Sequence, residues 1–305
     1  MRANAREKLT VKLGVIVPQG WTGEYSGWQA ERTWQRTLEV ARAAETNGLD
    51  SIWLFDHFHT TPDPTDEPVL EAYTTLSALA AVTQRVRLGQ IVTCAGYRNP
   101  ALLAKMVTTI DVISGGRAIL GLGAGWKEEE WLAYGYAFPD RHDRLAQLKD
   151  TLEIVSRMFE PGRATYQGEH SSVEGAINEP KPIQKPRIPI MVGGNGRNVT
   201  WRLAARYADE LNLDAMPVDD VREALPVIRQ RCEEIGRDPA TLAVSVHLWR
   251  KDEERNRREP LDELLPAYAE LGISRVMALL PGIEDGDEPL IEYAALADRD
   301  PTAVA

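Results

Sequence analysis

Short apolar runs alternate with helical patterns along almost the whole chain, and this alternation restricts the fold more than anything else in the sequence. Runs at 12–17, 51–55, 86–92, 117–122, 188–192, 210–213, 242–249 and 275–280 have the length and content of strands buried on both faces. Helical patterns at 29–46, 71–83, 101–113, 143–159, 199–208, 221–235, 261–271 and 289–297 fill the intervals. Short connections between unlike elements make parallel βα units rather than separate all-α and all-β layers. Eight such units in 305 residues predict an α/β fold of the (β/α)8 TIM-barrel type. An open doubly wound sheet is the runner-up, but the G-x-G-x-x-G expected after its first strand is missing. Residues 160–187, rich in Gly and Pro, are too long for an ordinary connection. They are expected to be an insertion before the fifth strand, with a short hairpin. The expected organisation is a single barrel over 11–299 with loose tails at 1–10 and 300–305.

Charge and cysteine content narrow the function classes. A formal net charge of −11 argues against nucleic acid or an anionic membrane as the main partner, since both call for clustered Lys and Arg. No apolar run approaches the roughly 20 residues of a membrane span. The amino end MRANAREKLT lacks the apolar core of a secretory signal. Cys94 and Cys232 are too few for a disulfide framework, so a cytoplasmic setting is expected. The expected assembly is a homodimer, and the expected partner is a small organic molecule.

The second apolar run turns polar abruptly at Asp56 and His57. In parallel α/β folds the carboxyl ends of strands carry ligand and catalytic groups. Asp56 and His57 are therefore the candidate centre, placed at the rim of a packed sheet. An imidazole there can exchange a proton near neutral pH, or it can simply hydrogen-bond a loop. Asp56 can serve the chemistry or cap the following turn. The same face should gather Trp21 and Trp28, then Thr93, Cys94, Tyr97 and Arg98, then Gly125, Trp126, Glu129 and Glu130. Later loops should add Gly193 to Gly196, then Arg250 and Lys251.

Gly193-Gly194-Asn195-Gly196, opening into a helix, offers backbone N–H groups to a phosphate, with a bare tight turn as the plain alternative. GLGAGW after the fourth strand is a weaker version of the same signal. His57-Phe58-His59 also matches the H-x-H of metal hydrolases. Only His247 among the remaining histidines lies in an expected strand, so no metal is expected. His59 reads as a loop hydrogen bonder. At least two of Glu128, Glu129 and Glu130 are explained by a helix start, where acids suit the dipole. Cys94 reads as a small buried residue, and Arg98 as either a partner for an anionic tail or a surface ion pair.

The runs GLDSIWLFDHF, VRLGQIVTCAGYRNPALLAKMVTTIDVISGGRAILGLGAGWKEEEW, PKPIQKPRIPIMVGG and WRLAARYADELN are similar to the luciferase-like monooxygenase superfamily. Within it they most resemble the branch that uses the deazaflavin coenzyme F420. The resemblance covers about 13–213 and fades into general barrel character beyond. It implies a barrel with an insertion before the fifth strand and a deazaflavin or flavin at the carboxyl face. It places Asp56 and His57 beside the ring, a cis peptide at Ile91–Val92 behind it, and cofactor phosphate on Gly193 and Gly194. The full expected cofactor set is Asp56, Ile91, Val92, Thr93, Arg98, Gly125, Trp126, Glu129, Gly193, Gly194 and Asn195.

The chain departs from the sugar-phosphate dehydrogenases of the family. It carries Trp126 and Glu129 where they have Glu and Asn, and Ile91 where they have serine, so glucose 6-phosphate is a poor substrate guess. The expected function is an F420-dependent oxidoreductase that passes a hydride to or from an organic substrate, with His57 and Asp56 as catalytic residues. The alternatives are an FMN-dependent monooxygenase using reduced flavin and oxygen, and a non-catalytic cofactor-binding barrel. The presence of both Asp56 and His57 counts against the last. Trp21, Tyr25 and Trp28 in the first loop suggest an apolar or aromatic partner surface, although aromatic loops also pack on neighbouring subunits.

Overall fold

The computed structural model describes residues 11–249 and 260–298. In chain order the elements are β1 (Lys12–Ile16), α1 (Ala30–Thr46), β2 (Ser51–Leu54), α2 (Ala72–Val82), β3 (Arg87–Gln90), β4 (Thr93–Cys94), α3 (Pro100–Ser114) and β5 (Ala118–Gly123). They continue with α4 (Glu128–Ala133), α5 (Arg141–Phe159), β6 (Ala164–Gln167), β7 (Ser172–Ala176), β8 (Ile190–Gly193), α6 (Thr200–Tyr207) and β9 (Glu210–Asp214). The last are α7 (Val218–Glu233), β10 (Ala243–Trp249), α8 (Leu261–Glu270), β11 (Arg275–Leu279) and α9 (Glu288–Ala294).

β1, β2, β3, β5, β8, β9, β10 and β11 pair in parallel in that order, and β11 returns to β1. The sheet is thus a closed eight-stranded barrel, as the alternation predicts. The 160–187 stretch carries an antiparallel hairpin of β6 and β7, also as expected. The tails at 1–10 and 300–305 lie outside the described residues.

Strand side chains divide with period two. Ile52 and Leu54 of β2 join the layer between barrel and helices, while Trp53 and Phe55 point into the barrel with Ile16, Ile119, Met191 and Met277. Trp53 needs the space that two glycines leave. A Cβ on Gly14 would lie 2.8 Å from its Nε1, and one on Gly89 would lie 2.7 Å from its ring. At the other end of the barrel, Gly115 caps α3 in the left-handed region (φ 68°), a conformation that suits glycine. Arg117 follows it and donates to Ser114 O, Ala80 O, Thr83 O, Val86 O and Thr83 Oγ1. The SGGR run is therefore a structural corner.

The expected third strand, 86–92, is not continuous. β3 ends at Gln90, the Ile91–Val92 peptide is cis, and pairing resumes in β4, where Thr93 lies opposite Leu122. The cis bond is at the position the resemblance implies. Just beyond it, Gly96 sits under the Trp131 ring, and a Cβ there would come within 1.9 Å of it. Gly96→Ala should therefore cost about 1–3 kcal/mol through overpacking. Thermal denaturation checks this; a parental melting temperature would mean that Trp131 has room to move.

Candidate active site

The carboxyl ends of the barrel strands surround a cavity of about 330 Å³. Phe55, Asp56 and His57 reach it from β2, Ile91 and Val92 from β3, and Gly123 to Lys127 from β5. His57 is nearly buried, and its Nδ1 lies 2.8 Å from Oε2 of Glu130. A carboxylate accepts, so Nδ1 carries the proton and Nε2 is the nitrogen left for the cavity. Trp21 stacks on the imidazole, with centroids 4.1 Å apart and planes 3° apart, and Trp126 meets it edge-on at 6.0 Å. The imidazole therefore has its plane and its tautomer set from two directions.

Glu130 is fully buried. It also accepts from Phe58 N at 2.7 Å and from Tyr97 Oη at 2.9 Å. Burial works against its charge, but the hydrogen bond and charge of His57, with the Phe58 and Tyr97 donors, outweigh it. Its carboxyl is held below the usual range. Burial beside Glu130 pushes the Tyr97 phenol up, so it stays a donor.

Asp56 is buried, and its Oδ2 accepts from Cys94 N at 2.9 Å and Arg98 Nη1 at 2.7 Å. Its Oδ1 is buried with no partner, although Asp56 lines the cavity. Arg98 turns inward, bridging Asp56 and Glu71 at 2.8 Å over the Tyr73 ring. Its guanidinium is spent on the protein, which corrects the expectation that it serves an anionic ligand. Thr93 is likewise buried beneath the site, bonded to Tyr73 Oη and Gln90 Oε1, and does not line the cavity. Cys94 is a buried residue as expected, its thiol pushed up by burial and then by Asp56.

Glu129 is the second correction. It is exposed and does not line the cavity, and Glu130 is the glutamate that matters. α4 begins at Glu128, and each helical step turns the side chain by about 100°, which leaves Glu128 and Glu129 on the solvent side and brings Glu130 and Trp131 to the core. Trp126 lines the cavity mouth while remaining 56% exposed. Gly125 lines it too, but its missing side chain is explained by the protein itself. A Cβ would lie 2.5 Å from Cys94 Sγ.

The GGNG turn departs from its simplest reading. Gly193 and Gly194 line the cavity, yet a Cβ on Gly193 would lie 2.8 Å from the Val92 side chain. The Gly194 N–H already donates to Asn212 O at 3.0 Å, and its φ of 128° favours glycine. Asn195 is exposed and is not among the residues that line the cavity. Its amide brackets the Asp214 backbone, at 2.8 and 3.0 Å. α6 starts only at Thr200, and Gly196 and Thr200 join the cavity wall where Asn195 was expected.

The first loop is also corrected. Trp21 and Tyr25 are buried at 1% and 0% exposure, so they are packed inside the protein, Trp21 behind the His57 ring, rather than forming an open partner surface. Trp28 is half-buried with Arg32 over its ring. His59 is a buried loop hydrogen bonder, as expected, with Nδ1 3.0 Å from Thr60 O. Arg250 and Lys251 lie outside the described residues.

Sequence reasoning missed a second imidazole. His247 lines the cavity with Asn212, Asp214 and Trp249. The alternation in β10 could have found it: Val244, Val246 and Leu248 face the helices, which turns Ser245, His247 and Trp249 inward. Arg141 and Arg144 at the start of α5 also reach the cavity wall.

A barrel that gathers an imidazole–carboxylate pair, a cis peptide and glycine-lined turns at its carboxyl face defines a class, and the chain belongs to it. It is a member of the luciferase-like monooxygenase family, whose model matches residues 12–299. An F420-dependent glucose-6-phosphate dehydrogenase of Kineococcus radiotolerans is 34% identical over 216 residues, 70% of this chain and 63% of that protein. A solved F420-dependent secondary alcohol dehydrogenase, in complex with an F420–acetone adduct, superposes with a TM-score of 0.78 at 19% identity. The match covers 95% of this chain and 100% of that one. An FMN complex of the oxygenating constituent of 3,6-diketocamphane monooxygenase, from a Pseudomonas putida plasmid, gives 0.72 at 16% identity over 95% and 97%. The two structural likenesses speak to the fold.

Proposed function

We propose that the protein is a coenzyme F420-dependent oxidoreductase acting on a small organic substrate. The observation that carries this reading is the His57–Glu130 contact of 2.8 Å at the cavity wall. The residues present fit a deazaflavin. The unpartnered Oδ1 of Asp56 suits a hydroxyl or N–H donor, and Ile91, Val92 and Gly123 offer a flat apolar bed. Gly193, Gly196 and Thr200, with Arg141 on the same cavity wall, suit the phosphate end. When bound, such a cofactor supplies hydride exchange with an organic substrate.

The chain's own groups do the rest. Glu130 holds the proton on Nδ1 of His57, so Nε2 can take or give a proton at the reacting group. Trp21 covers one imidazole face and keeps water from it. Lys127, buried at the wall, donates to Thr60 O at 3.2 Å and ties the second loop over the site. Among the described residues no helix is long and apolar enough to cross a membrane. A cytoplasmic homodimer belongs to the same reading.

Parallel titrations with F420 and FMN test it. F420 should quench tryptophan fluorescence, since Trp126 and Trp249 line the cavity, and FMN should bind more weakly or not at all. Turnover should persist without oxygen. Tight FMN binding with no response to F420 would move the protein to the oxygen-using alternative.

A further inference from the structure

Lys127 is a buried cation on the cavity wall whose donors the protein itself does not fill. It is 6% exposed and lines the cavity just before α4 begins. An ammonium carries three N–H donors. One reaches Thr60 O at 3.2 Å, and among the described residues the Lys127 ammonium has no other hydrogen bond and no ion pair. Burial pulls its pKa down, and the charges of Glu130, Glu129 and Asp63 resist that fall without touching it. Glu130 is occupied by His57, Tyr97 and the Phe58 N–H. Two unfilled donors on a desolvated charge are costly, and tying down a loop needs only the third. Arg144, by contrast, is bonded to Gly125 O and Pro139 O, and Arg141 is exposed. The position of Lys127 is that of the reacting end. Thr60 belongs to the loop that carries His57, and Trp126, the residue before Lys127, meets the His57 ring edge-on.

We propose that Lys127 is a specificity-determining residue whose ammonium receives the carboxylate of an organic-acid substrate beside His57. The inference rests on the oxidoreductase reading and names its substrate class. A carboxylate brings acceptors to both unfilled donors and one negative charge to one ammonium. A neutral amide fills the donors but leaves the buried charge unmatched. A phosphate monoester brings a second negative charge into the field of Glu130, which disfavours it. Phe55 and Ile91 on the same wall take the apolar body of the acid.

Three probes that share one ring test the proposal: cyclohexanecarboxylate, its neutral isostere cyclohexanecarboxamide, and cyclohexyl phosphate. Each is titrated by calorimetry into the full-length protein, without and with F420. The parent should bind the carboxylate at least about tenfold more tightly than the amide, the scale of a hydrogen bond to a charged group. The phosphate should bind more weakly than the carboxylate. Lys127→Met, which keeps the apolar stem, should bring carboxylate and amide within about twofold of each other and leave the amide affinity unchanged, whereas Lys127→Arg should keep the preference. Lys127→Gln, which can still donate to Thr60 O, takes the place of Lys127→Met if circular dichroism shows that variant unfolded. Equal binding of carboxylate and amide by the parent, or a preference that survives in the folded neutral variant, would overturn the assignment. So would a preference that Arg141→Met abolishes and Lys127→Met does not, or tighter binding of the phosphate. Loss of the preference on adding F420 would give Lys127 to the cofactor and overturn its role toward substrate. A failure of F420 to bind would count against the oxidoreductase reading alone, because the titrations without it still rank the probes.

Discussion

His57→Ala is expected to bind F420 nearly as well as the parent and to lose turnover by about 10² to 10⁴-fold, the usual contribution of a positioned acid or base. His57 directly follows Phe55 and Asp56 at the end of β2, so its backbone is held by the barrel rim. Its ring stands between Trp21 and Glu130, so truncation removes the proton carrier and leaves the glycine turns and Asp56 in place. The pH profile of the parent should show a limb that the variant lacks. If His57 only braces the loop, activity and melting temperature should fall together. A folded variant with parental turnover would remove it from the mechanism.

Glu130 should show the larger effect on stability. Glu130→Ala leaves the His57 N–H, the Tyr97 hydroxyl and the Phe58 N–H facing an empty buried site. Breaking a buried charge-assisted network in this way typically costs about 3–5 kcal/mol. Glu130→Gln keeps the volume but offers one acceptor oxygen in place of two. The imidazole loses its tautomer control, and turnover should fall toward that of His57→Ala. The carboxylate also predicts the acid behaviour. Its folded-state value lies below the ordinary 4.5, so its stabilisation is fully present above about pH 4.5 and is lost as pH falls through the folded value. Parental stability should therefore decline more steeply below pH 4.5 than that of Glu130→Gln. Parallel declines for the two proteins would mean that Glu130 is not held ionised by its neighbours.

The barrel was legible because it is written in local signals. Apolar runs of strand length, terminators such as Asn47-Gly48 and Ser114-Gly115-Gly116, and short connections repeat along the chain. The polar break after Phe55 marked the rim, and the long Gly- and Pro-rich stretch marked the hairpin insertion. Position along the chain was enough to place Asp56, His57, Gly125, Gly193 and Gly194 on the cavity wall.

What the sequence by itself determined, then, was the order of elements and the end of the barrel where polar groups collect. Which of those groups meet was decided by tertiary structure alone. Glu130 lies 73 residues from His57, and Asn212 lies 35 residues from His247. Barrel closure brings these strand ends together, and no local pattern records it. Glu129 and Glu130 look alike in sequence until the helix phase turns one outward and the other inward. Arg98 looks available until Asp56 and Glu71 claim it, and Trp21 looks exposed until His57 stacks against it. Burial and periodicity are properties of a segment, whereas a partner is a property of the space between segments, which exists only once the sheet has closed.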